Sequence, residues 1–333
     1  MENENGGLTA QTVDIKNIKK LAITKQLNFL IGSGASMPAI PLMSQINGSD
    51  DKEKNNNLVK KIKEVSRKVL EEDLTDLDIK TTYNHYYEFM FQVIQLLNKS
   101  NSRQVPRSVN IFTTNYDLFI EKTVDELVAQ NRIVFNDGTS GYFKKYIDSS
   151  NYNRVVSYKG LNDNYIDEIP SINLIKPHGS VNWKKTAEDK ILVCSNVQDQ
   201  PVVVKPTGIE GQETFLNNYF HEMLRMFQLE LDKPQSVLFV FGFSFQDAHI
   251  AKMFKRALQN SELLTFVFAF TDDNVTDIKN NLNLKQLPNN LKILSPKDFM
   301  DNDNINIENI DDKTGDKSYS FNIESLTRIF KGD

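Results

Sequence analysis

Ser236-Val237-Leu238-Phe239-Val240-Phe241 is almost continuously apolar, and Gly242 follows it directly. An apolar residue at every position predicts a strand covered on both faces, which is typical of a parallel sheet between layers of helices. The apolar spacing from Ala248 to Gln259 predicts a helix immediately downstream. The two segments together form a strand–helix unit.

The same alternation extends outward along the chain. Further short apolar runs predict strands at 27–31, 109–113, 172–175, 191–194, 202–204, 264–270 and 291–294. Helical spacing occurs at 13–26, 58–72, 83–97, 118–130, 217–231 and 322–330. Alternating strands and helices predict an α/β fold, a doubly wound, mostly parallel Rossmann-like sheet with a helical insertion.

The domain organisation follows from the lengths of these segments. We expect one domain over residues 1–333, with a helical insertion at 43–102, a small turn-rich insertion at 136–171 and a C-terminal extension at 296–333. The stretch from Asn47 to Asn57 is rich in Asn, Asp and Lys, which favours a mobile loop or the tip of an insertion. A second polar stretch, from Asp301 to Lys317, also predicts a loop.

Composition excludes several classes of protein. The 333 residues are 39% hydrophobic and 25% charged, with a net charge of −5 and no long basic stripe, which argues against a nucleic-acid surface. No apolar run approaches the roughly 20 residues that span a bilayer, and Met1 to Gly7 does not resemble a signal peptide. Cys194 is the only cysteine, so neither an internal disulfide nor a four-cysteine zinc site is possible. We expect a soluble, cytoplasmic protein without a metal.

Two glycine turns follow predicted strands. Gly32-Ser33-Gly34-Ala35-Ser36 lets the backbone approach a ligand closely and points N–H groups at a phosphate. Gly242 and Ser244 close the longest strand and are candidates for binding ribose or phosphate. A plain tight turn is an equally good interpretation of a single Gly-x-Gly.

An asparagine stands at a third strand end, in Thr113-Thr114-Asn115-Tyr116-Asp117. Ligands of open α/β sheets bind beyond the carboxyl ends of the strands, which favours a functional role. The alternative is a helix N-cap. Asp117 is better placed to cap the following helix, which leaves Asn115 free to contact a ligand.

A histidine follows a fourth strand. His178 stands between Pro177 and Gly179, in a loop that we expect to face the ligand. A lone histidine is more often an ordinary core residue, but this context favours function. His249, shortly after Asp247, is a weaker second candidate.

Taken together, these four segments resemble the sirtuin superfamily, and most closely its bacterial branch found in antiviral defence. Asn115 and Asp117 correspond to the asparagine and aspartate of the Thr-Gln-Asn-x-Asp motif, with Thr114 in place of glutamine. His178 corresponds to the histidine of the His-Gly motif. Ser244 corresponds to the serine of the Gly-Thr-Ser loop, with Phe243 in place of threonine.

The resemblance implies a single NAD-binding domain in which Asn115 and His178 are catalytic. It implies that the two glycine turns, together with Thr114 and Asp117, bind NAD. Sirtuin deacylases carry a four-cysteine zinc module, and this chain has only Cys194. The implied reaction is therefore hydrolysis of NAD, as substrate, to nicotinamide and ADP-ribose, in order to deplete NAD during infection.

Two other functions stay open on sequence grounds: a non-catalytic module that senses NAD or ADP-ribose and regulates a partner, and an interaction subunit with a vestigial cleft. The resemblance also implies a homo-oligomer and, in some relatives, a HerA-type ATPase as partner. The segment from Met37 to Asn57 is a candidate lid.

Overall fold

The structure is a computed structural model that describes residues 14–100, 105–158, 168–205, 218–300, 307–310 and 317–332. The α-helices of these residues are α1 (Ile15–Thr24), α2 (Asp51–Leu70), α3 (Leu77–Lys99), α4 (Phe119–Gln130), α5 (Asn218–Leu231), α6 (Ala248–Ala257), α7 (Asn274–Leu282) and α8 (Ile323–Lys331). Short 3₁₀ helices occur at Ser33–Ser36, Met43–Gln45, Ser149–Asn153 and Pro296–Phe299.

The strands of the described residues form one large sheet and three small ones. They are β1 (Gln26–Ile31), β2 (Ser108–Thr113), β3 (Val134–Asn136), β4 (Thr139–Ser140), β5 (Lys145–Ile147), β6 (Ser171–Ile175), β7 (Gly179–Ser180), β8 (Trp183–Lys185), β9 (Ile191–Val193), β10 (Val202–Val203), β11 (Ser236–Phe241), β12 (Leu264–Phe268), β13 (Leu291–Leu294), β14 (Glu308–Ile310) and β15 (Lys317–Tyr319).

The central sheet has seven strands in the order β13-β12-β11-β1-β2-β6-β3, and every neighbouring pair is parallel. Successive side chains of a strand point to opposite faces. Accordingly Phe29 belongs to the core that includes α3 and α8, whereas Leu30 belongs to the core on the other face, with α5 and α6. The predicted doubly wound, Rossmann-like α/β fold is confirmed.

A ladder of asparagines crosses this sheet. Asn28, Asn110, Asn173 and Asn136 are register partners on β1, β2, β6 and β3. Each Nδ2 of Asn110, Asn173 and Asn136 donates to the Oδ1 of the preceding asparagine, at 2.9–3.1 Å. A slip of one residue would move these amides to the other face and leave them unpaired, so the ladder fixes the strand register.

The helical segment after β1 begins earlier than predicted. Helix α2 starts at Asp51, so the prediction of a loop as far as Asn57 is wrong. Asp50 caps this helix by accepting from the N–H of Glu53 at 2.7 Å, and the Glu53 carboxylate in turn accepts from Ser49. Asx capping therefore outweighs the low helix propensity of the Asn-rich first turns. Helix α3 likewise begins at Leu77, where the prediction placed its start at Tyr83.

The small sheets lie beyond the main one. Strands β4 and β5, from the predicted turn-rich segment, pair with β9 and β8 in an antiparallel sheet. The predicted loop at 301–317 lies mostly outside the described residues, and Met1 to Gly7 lie entirely outside them. Within its described part, β14 pairs antiparallel with β15, so the loop prediction is wrong there. Among the helices that the structure describes, none combines the length and apolarity needed to cross a membrane.

Candidate active site

The carboxyl ends of four adjacent parallel strands meet at one edge of the sheet. Ile31 at the end of β1 pairs with Thr113 of β2 on one side and with Phe241 of β11 on the other, and Phe112 pairs with Ile175 of β6. The four predicted segments follow directly after these strands. The fold therefore brings them together, as the strand-end argument predicted.

A cavity of about 370 Å³ lies at this edge. Its volume is within the usual range of small-molecule sites, roughly 300–1,000 Å³. The predicted site residues that line it are Ser33, Ser36, Thr114, Asn115, Asp117 and His178. Five residues from the segment between β1 and β2 form another wall: Ile40, Pro41, Met43, Leu58 and Ile62. Helix α2 is therefore part of the site, which the sequence did not predict.

The remaining predicted residues do not line the cavity. Gly32, Gly34 and Ala35 contact the second glycine turn, where the Gly34 N–H donates to the Gly242 carbonyl at 3.0 Å. Gly242 has a φ of +65°, and a Cβ there would lie 2.5 Å from the Ala35 nitrogen. These glycines allow two loops to pack backbone against backbone. Ser244 is exposed, and its carbonyl accepts from Asn281 at 2.8 Å. Nucleotide binding by these five residues stays a prediction.

The Asn115 side chain has one engaged end and one open end. Its Nδ2 donates to the Gly32 carbonyl at 3.0 Å and to Ser36 Oγ at 3.1 Å. Its Oδ1 is buried and has no hydrogen-bond partner among the described residues. The interpretation that the whole amide is free is therefore wrong for the nitrogen, because the glycine turn holds it. The oxygen alone is available, as a hydrogen-bond acceptor.

Ser36 fixes this orientation. Its hydroxyl donates to Asp117 Oδ2 at 2.8 Å and lies 3.0 Å from the Tyr86 hydroxyl. A serine has one proton to donate, and the carboxylate takes it, so Ser36 accepts from both Tyr86 and Asn115. Asp117 Oδ1 also accepts from the Phe119 N–H at the start of α4, at 3.3 Å. The N-cap position of this helix is Leu118, one residue after the predicted capping residue. Helix α3 thus reaches the amide through Tyr86 and Ser36.

A buried lysine ties the loop after β6 to α4. Lys176 Nζ donates to the Asp117 carbonyl at 2.6 Å, to Glu121 Oε1 at 2.7 Å and to Ser180 Oγ at 3.2 Å. Burial raises the pKa of both the Asp117 and the Glu121 carboxyl, and the nearby lysine partly offsets this. Lys176 stands two residues before His178, so its contacts anchor the loop that carries the histidine.

His178 is neutral in the free protein at neutral pH. Its side chain is 7% exposed, and burial lowers its pKa from 6.5 to about 4. The carboxylate of Asp247 opposes this shift, and His249 adds to it. The sequence alone gives no sign of this shift, because desolvation arises only when the ring is buried in the folded protein.

Asp247 is a site residue that was not predicted from the sequence. It caps α6 by accepting from the N–H groups of His249 and Ile250, and its Oδ2 lies 3.3 Å from His178 Nε2. His249, the weaker candidate, lies with its Nε2 3.5 Å from His178 Nε2. One ring nitrogen of each histidine and one carboxylate oxygen of Asp247 lie within 4.8 Å of one another, close enough to share a proton or a cation. An aspartate directly before a predicted helix is a typical N-cap, and this sequence signal could have identified Asp247.

Comparison with known families adds one finding. A family model described as the SIR2-like domain matches residues 109–292, more than half of the chain. The matched segment runs from β2 into β13 and includes Asn115, His178 and Asp247. The glycine turn after β1 and helices α2 and α3 lie outside it. No curated protein matches the chain.

Proposed function

Because the chain belongs to the SIR2-like domain family, we propose that it hydrolyses NAD at the bond between nicotinamide and ribose. Membership confirms the sirtuin-like resemblance expected from the sequence, and SIR2-like domains bind NAD. One observation carries the proposal of hydrolysis: the unpartnered Oδ1 of Asn115 and the neutral ring of His178 line the same cavity.

The reaction needs an acceptor group more than a strong acid. Nicotinamide in NAD is cationic and leaves as a neutral molecule, with the electron pair of the broken C–N bond. The site must stabilise an oxocarbenium-like ribose and position a water, as in glycoside hydrolysis. Asn115 Oδ1 can accept a hydrogen bond from a ribose hydroxyl or from that water without adding charge. His178 is unprotonated near neutral pH and can act as the base.

The polar and apolar walls divide the remaining tasks. Ser33, Thr114 and Gln246 offer hydrogen bonds to the ligand, and the wall from α2 excludes water. Asp117 already receives Ser36 and the Phe119 N–H, which supports a role in holding Asn115. The predicted role of Asp117 in binding NAD, for which we propose a contact with the nicotinamide amide, remains part of the proposal.

The experiment is nicotinamide release from NAD by the purified chain over a range of protein concentrations. We expect Asn115→Ala and His178→Ala each to lower release by at least about 10²-fold, the usual effect of removing a positioned acid–base group. Asn196→Ala and His221→Ala, at exposed positions outside the cavity, are matched controls that keep wild-type release. A folded His178→Ala protein with near-normal turnover would refute its role as base.

A silent wild type that binds NAD in calorimetry would instead favour the NAD-sensing module. We also propose that hydrolysis depletes NAD in antiviral defence, and that a closed loop or the oligomer state restrains the chain until infection. A homo-oligomer and a HerA-type ATPase or another defence protein are the proposed partners. This wider role rests on the resemblance, and NAD content of infected cells with the wild type and with Asn115→Ala tests it. Equal loss of NAD with both proteins would contradict it.

A further inference from the structure

Three side chains from two elements form a contiguous chain at the base of the cavity. His178 comes from the loop after β6, whereas Asp247 and His249 come from the cap and first turn of α6. The two imidazole rings lie 5.4 Å apart between centroids, with an interplanar angle of 34°. Their side chains are only 7% and 11% exposed, and that of Asp247 is 13% exposed. These side chains therefore interact largely away from bulk solvent.

Asp247 is held rigidly and as an acceptor. Its Oδ1 accepts from the N–H groups of His249 at 3.2 Å and Ile250 at 3.4 Å, so the start of α6 fixes the carboxylate. Burial raises the pKa of Asp247, but the hydrogen bond from His249 and the charge interactions with both histidines lower it more. An ionised carboxylate only accepts hydrogen bonds, so each N–H group bonded to Asp247 points toward its carboxylate oxygens.

This carboxylate sets the tautomer of His249. Its Nδ1 lies 2.5 Å from Asp247 Oδ1, so Nδ1 carries the proton and donates it. In the neutral ring the other nitrogen, Nε2, then bears a lone pair. That nitrogen lies 3.5 Å from His178 Nε2. His249 is thus an acceptor aimed at His178, backed by a fixed negative charge.

We propose that Asp247 and His249 form a proton relay that takes over the proton His178 removes from the attacking water. This inference rests on the proposed function. Hydrolysis of NAD⁺ with water yields nicotinamide, ADP-ribose and one proton, and that proton must leave the buried site. It first binds Nδ1 of His178 and makes the ring cationic, because Nε2 is the nitrogen that faces Asp247 and His249. Transfer from His178 Nε2 to His249 Nε2 restores a neutral His178 and places the charge next to Asp247.

The surroundings of His178 explain why a relay is needed. Burial penalises a lasting positive charge on this ring, so the proton must move on. The titratable groups that face it are Asp247 and His249. Asp117 shares the cavity but is bound to Ser36, and Lys176 points away to Asp117 and Glu121. Asp247 and His249 therefore provide the route by which the proton leaves His178. Both act on the reaction through His178, as positioning residues.

The first test is His249→Gln in the nicotinamide-release assay. Glutamine retains hydrogen bonding but cannot carry a proton, and His249 does not line the cavity. We expect kcat to fall by about 10²-fold with KM changed less than about 2-fold, and the remaining rate to rise with the concentration of buffer base. In His249→Gly, added imidazole should restore activity. Asp247→Asn keeps a good helix cap but loses the charge, and its kcat should fall as well. His221→Gln is the matched control.

Two results would overturn the relay. One is a wild-type kcat and pH profile in His249→Gln while Asn115→Ala is inactive. The other is a stoichiometric metal ion in the purified wild type that His249→Gln loses, since the three side chains would then be its ligands.

A second measurement does not require activity. With four histidines in the chain, ¹⁵N-histidine NMR can follow each ring as pH changes. The relay requires the neutral His249 ring to carry its proton on Nδ1, next to Asp247, and to leave Nε2 bare toward His178. A neutral His249 ring that is protonated on Nε2 would overturn the relay. A wild type without nicotinamide release contradicts the proposed hydrolase instead, and the NMR result stays informative.

Discussion

The buried ring of His178 makes the stability of the protein depend on pH in a defined window. Its pKa is lowered from 6.5 to about 4 in the folded protein. As pH falls from about 7 to 4, the unfolded chain binds a proton on this ring and the folded protein does not. Folding is therefore penalised progressively across that window. Each unit of difference between the unfolded and folded pKa values changes the free energy of unfolding by about 1.4 kcal/mol, so the full decrease is about 3 kcal/mol.

Urea unfolding at pH 7 and at pH 4.5 measures this loss. We expect the free energy of unfolding of the wild type to fall by about 2–3 kcal/mol more than that of His178→Gln, because glutamine does not titrate. Asn115→Ala alters the same cavity but leaves the ring in place, and it should keep the wild-type dependence. Groups that do not contact His178, such as the half-buried His85 and the buried Asp117, titrate in all three proteins and cancel in the comparison. Parallel losses in the wild type and His178→Gln would refute the burial argument.

Two further predictions concern the loops around the cavity. Ser36→Ala removes the one hydroxyl that joins Asn115, Asp117 and Tyr86. We expect it to lower the free energy of unfolding by about 2–4 kcal/mol and to slow nicotinamide release. The control Ser33→Ala, at an exposed position, should change the free energy of unfolding by less than about 0.5 kcal/mol. Equal unfolding curves for the two variants would contradict this network. A Cβ added at Gly242 would collide with backbone atoms, and this position also has a positive φ. A Cβ added at Gly332, which has a φ of +63°, would meet only the flexible Lys19 side chain. In thermal unfolding, we expect Gly242→Ala to lower the free energy of unfolding by more than the roughly 1–2 kcal/mol that the backbone conformation alone would cost. A larger decrease in Gly332→Ala than in Gly242→Ala would contradict the close contact between the two loops.

Much of the sheet could be predicted because its strands are short apolar runs between turn signals. The predicted bounds of β11 and β13 agree with the structure, and the bounds of β1, β2 and β6 differ by one residue at their first position. The asparagine ladder was not predicted. Asn28, Asn110 and Asn173 look like interruptions in apolar segments, and only strand pairing turns them into partners.

The position of the candidate site was also predictable, because parallel strands place their carboxyl ends on one edge and the chemistry-bearing residues follow those ends. The orientation of each side chain was not. Asn115 belongs to one loop and its partners Gly32 and Ser36 to another, and Tyr86 reaches them from α3. Which end of the amide stays open depends on contacts between residues 50 to 83 positions apart in sequence.

The sequence by itself determined the parallel α/β sheet, the strand ends that carry Asn115 and His178, and the lack of a second cysteine. Those features depend on local periodicity and residue identity. Tertiary structure alone decided that α2 walls the cavity, that His178 is neutral, and that Asp247 and His249 stand behind it. Burial and hydrogen bonding arise only when segments distant in sequence pack together, and these contacts set the charge of a histidine.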